Sequence, residues 1–205
     1  MGHSYCSAIG TQVSTRFPAD ADAIIHTGLA ILKPDQFALP SQLAANYVPA
    51  STYDPTRFPP ATYGAPGYLV ASSKPGRQAS FYSHPVINFD PAKYDRDSVT
   101  EATITTGETL TQNIYNSTAY INPVFVLTGQ QDAVFCGLGS RDLGPAHCGS
   151  EGGGGRGSVK AFYPAVAEGK FAYDAQPNAG HCLQIHCTAP AGFAKAHAFL
   201  AQQGL

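Results

Sequence analysis

The apolar positions of this chain fall into two patterns, four-residue recurrences and short unbroken runs. Over residues 5–17, Ile9, Val13 and Phe17 recur every fourth position and Pro18 follows, which predicts a helix with a stop. Ala8 and Gly10 give that helix a side small enough to lie close against a sheet. Three apolar runs, near 23–28, 124–129 and 170–174, read as buried parallel strands, the second being the clearest. A short helix is expected over 158–166, ended near Pro164, and a last one over 192–202 with Phe193, Ala196, Phe199 and Leu200 on one face.

Between 29 and 120 the pattern breaks. Ten of the 16 prolines lie between Pro34 and Pro91, and eight of the 11 tyrosines between Tyr47 and Tyr120. Proline interrupts helices and ladders alike, so this is no regular α/β layer, yet it is too aromatic for a solvated linker. The expected organisation is an α/β core from 1–28 and 121–205, with 29–120 inserted as a cap of short helices and irregular loops. Within it, one helix is expected near 35–47. Another should start at the capping-box pattern Ser98-Val99-Thr100-Glu101 and run towards Tyr115. The tyrosines either pack the cap or line a pocket.

Composition narrows the class. With 205 residues, 43% hydrophobic and 13% charged, the chain is long enough for a real core and is not of disordered type. A net charge of -2 gives no electrostatic reason to expect nucleic acid. No run reaches the ~18 apolar residues of a membrane span, and no signal peptide is visible. The six glycines within 149–157 lack the Gly-Lys-Ser/Thr of a phosphate loop and read as a surface loop. Asn116-Ser117-Thr118 is a glycosylation sequon, with Asn116 as the candidate site.

Three residues stand where chemistry collects. Gly2-His3-Ser4-Tyr5-Cys6 has a serine between small residues at minus two and plus two, the pattern of a nucleophile elbow. Asp132 follows the strand near 124–129, and His181 sits in a sharp loop after the last strand. The order serine, acid, histidine is that of one class of hydrolase; a serine needs an imidazole to take its proton, and a carboxylate to orient the imidazole. Only Met1 and Gly2 precede Ser4, so its strand is expected to be absent and the serine to fray from a free end.

The stretches 2–10 (GHSYCSAIG), 123–137 (PVFVLTGQQDAVFCG) and 178–186 (NAGHCLQIH) resemble the α/β-hydrolase superfamily, most of all secreted-type fungal members, and over their C-terminal part. The resemblance implies a partial α/β-hydrolase fold with C-terminal parallel strands and an inserted cap. It implies Ser4 as nucleophile, His181 as general base, Asp132 as its orienting acid, and the Tyr5 backbone N–H as an oxyanion donor. No cofactor or metal is implied. The substrate would be a small molecule of apolar or aromatic character with an ester, lactone or amide bond. The parent protein would be extracellular. Cys6 departs from the usual glycine. The resemblance also implies that about half of the expected domain lies outside this sequence, with the loop that supplies a second oxyanion donor, so these 205 residues alone are expected to turn over poorly. The other reading is a catalytically silent fragment or binding module.

Five cysteines leave at least one thiol unpaired. Cys136 and Cys148 are spaced as a disulfide could close, leaving Cys6, Cys182 and Cys187. Alternatively, His181, Cys182, His186 and Cys187, with His147 and Cys148, could supply zinc ligands, although their spacings match no common finger.

Overall fold

The computed structural model describes residues 1–30, 46–65, 67–82, 88–111, 114–136, 148 and 155–205, without the side chains of 109–111 and 136. Among these residues seven strands form two sheets: β1 (Gly2–His3), β2 (Ile24–Thr27), β3 (Tyr47–Pro49), β4 (Tyr68–Ala71), β5 (Ile104–Thr105), β6 (Val124–Gly129) and β7 (Phe171–Gln176). The helices are α1 (Tyr5–Arg16), α2 (Ala50–Tyr53), α3 (Pro60–Tyr63), α4 (Lys74–Phe81), α5 (Pro91–Thr100), α6 (Thr106–Thr111), α7 (Ala133–Cys136), α8 (Gly155–Lys160) and α9 (Ala189–Gln202).

The larger sheet has the order β1-β2-β6-β7 and every neighbouring pair is parallel. All four strands therefore end on the same side, and Ser4, Asp132 and His181 follow three of those ends, where open parallel sheets gather functional groups. β6 is buried at every position, because helices and loops cover both sheet faces. On one face Ile24, Val124, Val126 and Phe171 pack with Leu29, Tyr120, Phe135, Val159 and Tyr163. On the other, Phe125 and Leu127 pack against Ala196 and Phe199, with Phe193 and Leu200 beside them, so α9 buries the expected face.

β1 corrects the expectation of a missing strand. Two residues suffice: Gly2 pairs with His26 and His3 with Thr27, and the Ser4 N–H continues the ladder to the Thr27 carbonyl at 2.9 Å. The serine is tied into the sheet and not frayed.

The helix after it forms where expected but presents a different face. Ile9, Val13 and Phe17 are 43%, 38% and 55% exposed, whereas Ser7, Ala8, Thr11 and Ser14 are buried. Small side chains win this face because the sheet lies so close: a Cβ on Gly10 would meet His26 Cε1 at 2.9 Å. The buried hydroxyls are all satisfied. Ser7 donates to the Gly2 carbonyl, Thr11 to Ala8 and Ser14 to Thr11, and Ser117 joins Ser14 at 2.6 Å.

Residues 46–111 hold more order than loops and short helices. β3, β4 and β5 form an antiparallel sheet that the proline-rich sequence concealed. The capping-box expectation is also overturned: Ser98–Thr100 end α5, whose start is capped by Asp90 accepting from Ala92 and Lys93 N–H. Arg77 of α4 pairs with Asp97 and Glu101 at 2.7 and 2.8 Å, tying α4 to the end of α5. The helix expected over 158–166 lies slightly earlier, as α8. Most of the helix expected near 35–47 and the glycine loop over 149–154 lie outside the described residues.

His26 lies fully buried under α1, with Nε2 2.6 Å from the Tyr163 hydroxyl. Burial holds its imidazole down at about 3, against an ordinary 6.5. Between those values the unfolded chain binds a proton that the folded one excludes, so stability present above pH 6.5 is lost as pH falls towards 3. Urea titrations should therefore give a lower midpoint at pH 5 than at pH 7, this histidine contributing at most about 1.4 kcal/mol per pH unit. His26→Gln should flatten that dependence; an unchanged slope would contradict the assignment.

Candidate active site

The elbow is built from steric necessity. Ser4 sits at φ 53° and ψ -118°, a left-handed conformation that non-glycine residues rarely adopt, and α1 begins at the next residue. The turn is so tight that a Cβ on Gly2 would lie 2.5 Å from the Cys6 carbonyl oxygen. Glycine is thus required at minus two. At plus two it is not, because the Cys6 side chain faces solvent. Ser7 staples the first turn of α1 to both neighbouring strands, its hydroxyl lying 2.8 Å from the Gly2 carbonyl and 3.0 Å from that of Thr27. Tyr5 opens α1, so its N–H has no acceptor within the helix and lies at the positive end of the helix dipole.

Asp132 divides its two oxygens between structure and site. Oδ1 accepts from the Val134 and Phe135 N–H groups at 2.9 and 3.0 Å, capping α7. Oδ2 accepts from His181 Nδ1 at 2.9 Å and from the Thr128 hydroxyl at 3.2 Å. The carboxylate is fully buried, which alone would push its pKa up. The attraction and hydrogen bond of His181, together with the Phe135 N–H, outweigh that and hold it below the usual carboxylate range.

His181 is brought to Asp132 by a close crossing of loops. A Cβ on Gly129 would meet the Gly180 carbonyl at 2.2 Å, and the Gln131 N–H reaches the Ala179 carbonyl at 2.9 Å. Asn178 takes the left-handed turn, at φ 53°. With Nδ1–H committed to Asp132, Nε2 carries the free lone pair and accepts from the Ser4 hydroxyl at 2.7 Å. The three residues expected from chain order are thus linked by two hydrogen bonds in series.

Other groups fix the imidazole, and sequence reasoning missed them. The rings of Phe81 and Phe135 lie 5.8 and 5.6 Å from His181, and His3 lies 5.0 Å away on the elbow side. His3 Nδ1 is 3.0 Å from the Thr27 hydroxyl. Burial, then repulsion from His181, lowers its pKa to about 4, so it stays neutral beside the site at neutral pH. Gly28 makes room for both histidines: at φ 55°, its missing Cβ would lie 2.8 Å from His3 and 3.1 Å from His181. His3 was visible inside the motif. Phe81 carried no local signal, being far from the site in sequence.

The remaining expected sites are not drawn into this cluster. Cys6, Cys182 and Cys187 are free thiols, and burial pushes Cys182 up to about 12, which keeps it protonated. The Cys136–Cys148 bridge involves a side chain outside the described residues, as does His147 of the zinc alternative. Among the described residues no group of His, Cys, Asp or Glu is arranged to hold a metal ion. Asn116 is exposed, while Ser117 beside it is buried. Tyr82 and Tyr94 are buried together with Phe89, and Tyr120 is buried in the core beside Tyr163. No helix among the described residues is long and apolar enough to cross a membrane.

No family model and no curated protein matches this sequence. Solved structures do match in fold. BpoC of Mycobacterium tuberculosis H37Rv, a candidate non-heme bromoperoxidase, superposes with TM-score 0.57 at 14% identity, over 98% of this chain and 65% of its own. Rv0554 of the same organism gives 0.58 at 16% identity, over 98% and 64%. A proline iminopeptidase-related protein of Thermus thermophilus gives 0.53 at 17% identity, over 98% and 62%. The chain shares the α/β fold of these neighbours, a parallel sheet with helices, and spans just under two thirds of their length. These neighbours come from Mycobacterium tuberculosis and Thermus thermophilus, so they lend no support to the fungal part of the resemblance.

The elbow geometry separates two substitutions that look equivalent in sequence. Gly2→Ala should destabilise the protein by about 1–3 kcal/mol in urea unfolding, since backbone must move to admit the methyl group. Cys6→Gly should cost about 1 kcal/mol or less, the helix penalty of glycine alone. Equal costs would show that the turn is looser than described.

Proposed function

We propose that this protein is a serine hydrolase of the α/β-hydrolase type, cleaving an ester, lactone or amide bond without a cofactor. One observation carries the reading: a strained elbow serine donates to an imidazole whose other nitrogen donates to a buried carboxylate. In the reaction, Ser4 Oγ attacks the substrate carbonyl carbon while His181 Nε2 takes the hydroxyl proton. Asp132 stays ionised, holds the required tautomer and stabilises the imidazolium that forms. The oxyanion is received by the Tyr5 N–H at the start of α1. His181 then returns the proton to the leaving group, and water, activated by the same imidazole, releases the acyl group.

The substrate class is a small molecule with an apolar or aromatic acyl or leaving group, supported by the Phe81 and Phe135 rings that wall the imidazole. Residues 29–120 act as the cap that selects it, because Phe81 reaches His181 from within that segment. An oxidising compartment is part of the same reading, with a Cys136–Cys148 bridge and a glycan on the exposed Asn116.

The test is steady-state hydrolysis of p-nitrophenyl esters. Ser4→Ala should fall to the uncatalysed background, and Asp132→Asn should lower kcat on the order of 10⁴-fold, because the imidazole loses its tautomer. Equal rates for the parent protein and Ser4→Ala, both at the uncatalysed background, would leave the silent fragment or binding module as the better reading.

A further inference from the structure

The loop that presents His181 has little regular structure, one short 3-10 turn at Leu183–Ile185, yet its imidazole must reach groups beyond the ends of two other strands. Part of the loop is held by backbone bonds. Cys182 N–H donates to the Phe81 carbonyl at 2.8 Å, and Leu183 N–H to the His181 carbonyl at 2.9 Å. Two groups flanking the histidine go to a single side chain instead. The Gly180 N–H donates to His186 Nε2 at 3.1 Å, and His186 Nδ1 lies 3.0 Å from the Cys182 carbonyl, which otherwise takes a longer bond from Ile185 N–H at 3.3 Å.

An amide N–H can only donate and a carbonyl can only accept. His186 therefore makes both bonds in one protonation state, neutral with its proton on Nδ1. The ring is itself immobilised. It is 3% exposed, stacks on Tyr82 at 6.0 Å and meets the Phe89 edge at 5.8 Å. The backbone of His186 bridges to Phe89, and the Cys187 N–H donates to the Asn88 carbonyl at 2.9 Å. The clasp thus transmits the packing of Tyr82 and Phe89 to the residues on either side of His181.

We propose that His186 is a positioning residue: one imidazole, fixed as its Nδ1–H tautomer, ties the backbone before and after His181 and holds that ring between Ser4 and Asp132. This rests on the reading of His181 as general base, but its structural part can be measured without turnover. Misplacing a catalytic group by about 1 Å typically costs on the order of 100-fold in rate. His186→Ala should therefore lower kcat for p-nitrophenyl esters about 10- to 100-fold, with KM changed less than about threefold.

Two magnetic-resonance readouts on nitrogen-labelled protein are independent of activity. At pH 7 the His186 ring should show a protonated Nδ1 and a bare Nε2, and a protonated Nε2 would overturn the clasp. The Nδ1 proton of His181, shared with Asp132, should be sharp in the parent protein and broadened by exchange in His186→Ala. If His186→Ala does not fold, His186→Asn, which can keep the bond to the Cys182 carbonyl, should show the same broadening in weaker form. A folded variant with an equally sharp His181 proton would sink the positioning role and leave the hydrolase reading intact. Absence of turnover in the parent, with both resonances as described, would sink the hydrolase reading alone.

Discussion

Everything in the site depends on the ladder between β1 and β2. Two paired residues and the Ser4 N–H hold the first turn of the chain in register with Thr27. That register places the serine at a strand end, starts α1 at the next residue, and sets Gly2 under the Cys6 carbonyl. The left-handed conformation of Ser4 costs on the order of 1–3 kcal/mol wherever a non-glycine residue is held in it. Neighbouring structure must over-determine it, and the Ser7 hydroxyl, bonded to carbonyls of both strands, is one of the groups that does so.

The polar groups of the site are arranged so that burial and bonding agree. A buried carboxylate is costly unless its lone pairs are occupied, and Asp132 has donors on both oxygens. Its occupation by the α7 cap leaves one oxygen free to orient His181, so the same residue starts a helix and fixes a tautomer. His3 contributes by remaining neutral: a charged imidazole 5.0 Å from His181 would oppose the imidazolium that the proposed reaction requires.

Much of this was legible in the sequence, and the failures have physical causes. The strands near 23–28, 124–129 and 170–174 and the helix α9 follow from apolar patterning, because each sends apolar side chains into the core. The chain order of Ser4, Asp132 and His181 was legible because strand ends in a parallel sheet lie together. The face of α1 was misread because close packing against β2 favours Ser7, Ala8, Thr11 and Ser14 over larger apolar groups, leaving Ile9, Val13 and Phe17 outside. Ser98 to Glu101 satisfied a capping pattern whose place was already taken by Asp90 upstream. β1 was discounted for its length, although pairing partners and not residue count decide whether a strand forms. His186 was weighed only as a metal ligand, since spacing cannot reveal a side chain that folds back onto the backbone of Gly180 and Cys182.

In the proposed reaction the Ser4 hydroxyl is activated by His181. A fluorophosphonate reports this when paired with a His181 variant, since it forms a covalent adduct with a serine that a neighbouring base has activated. Peptide mass spectrometry after labelling at pH 7–8 should place a single adduct on Ser4, lost in unfolded protein and in His181→Ala. An unlabelled Ser4 in folded protein, or labelling that persists without His181, would contradict the account.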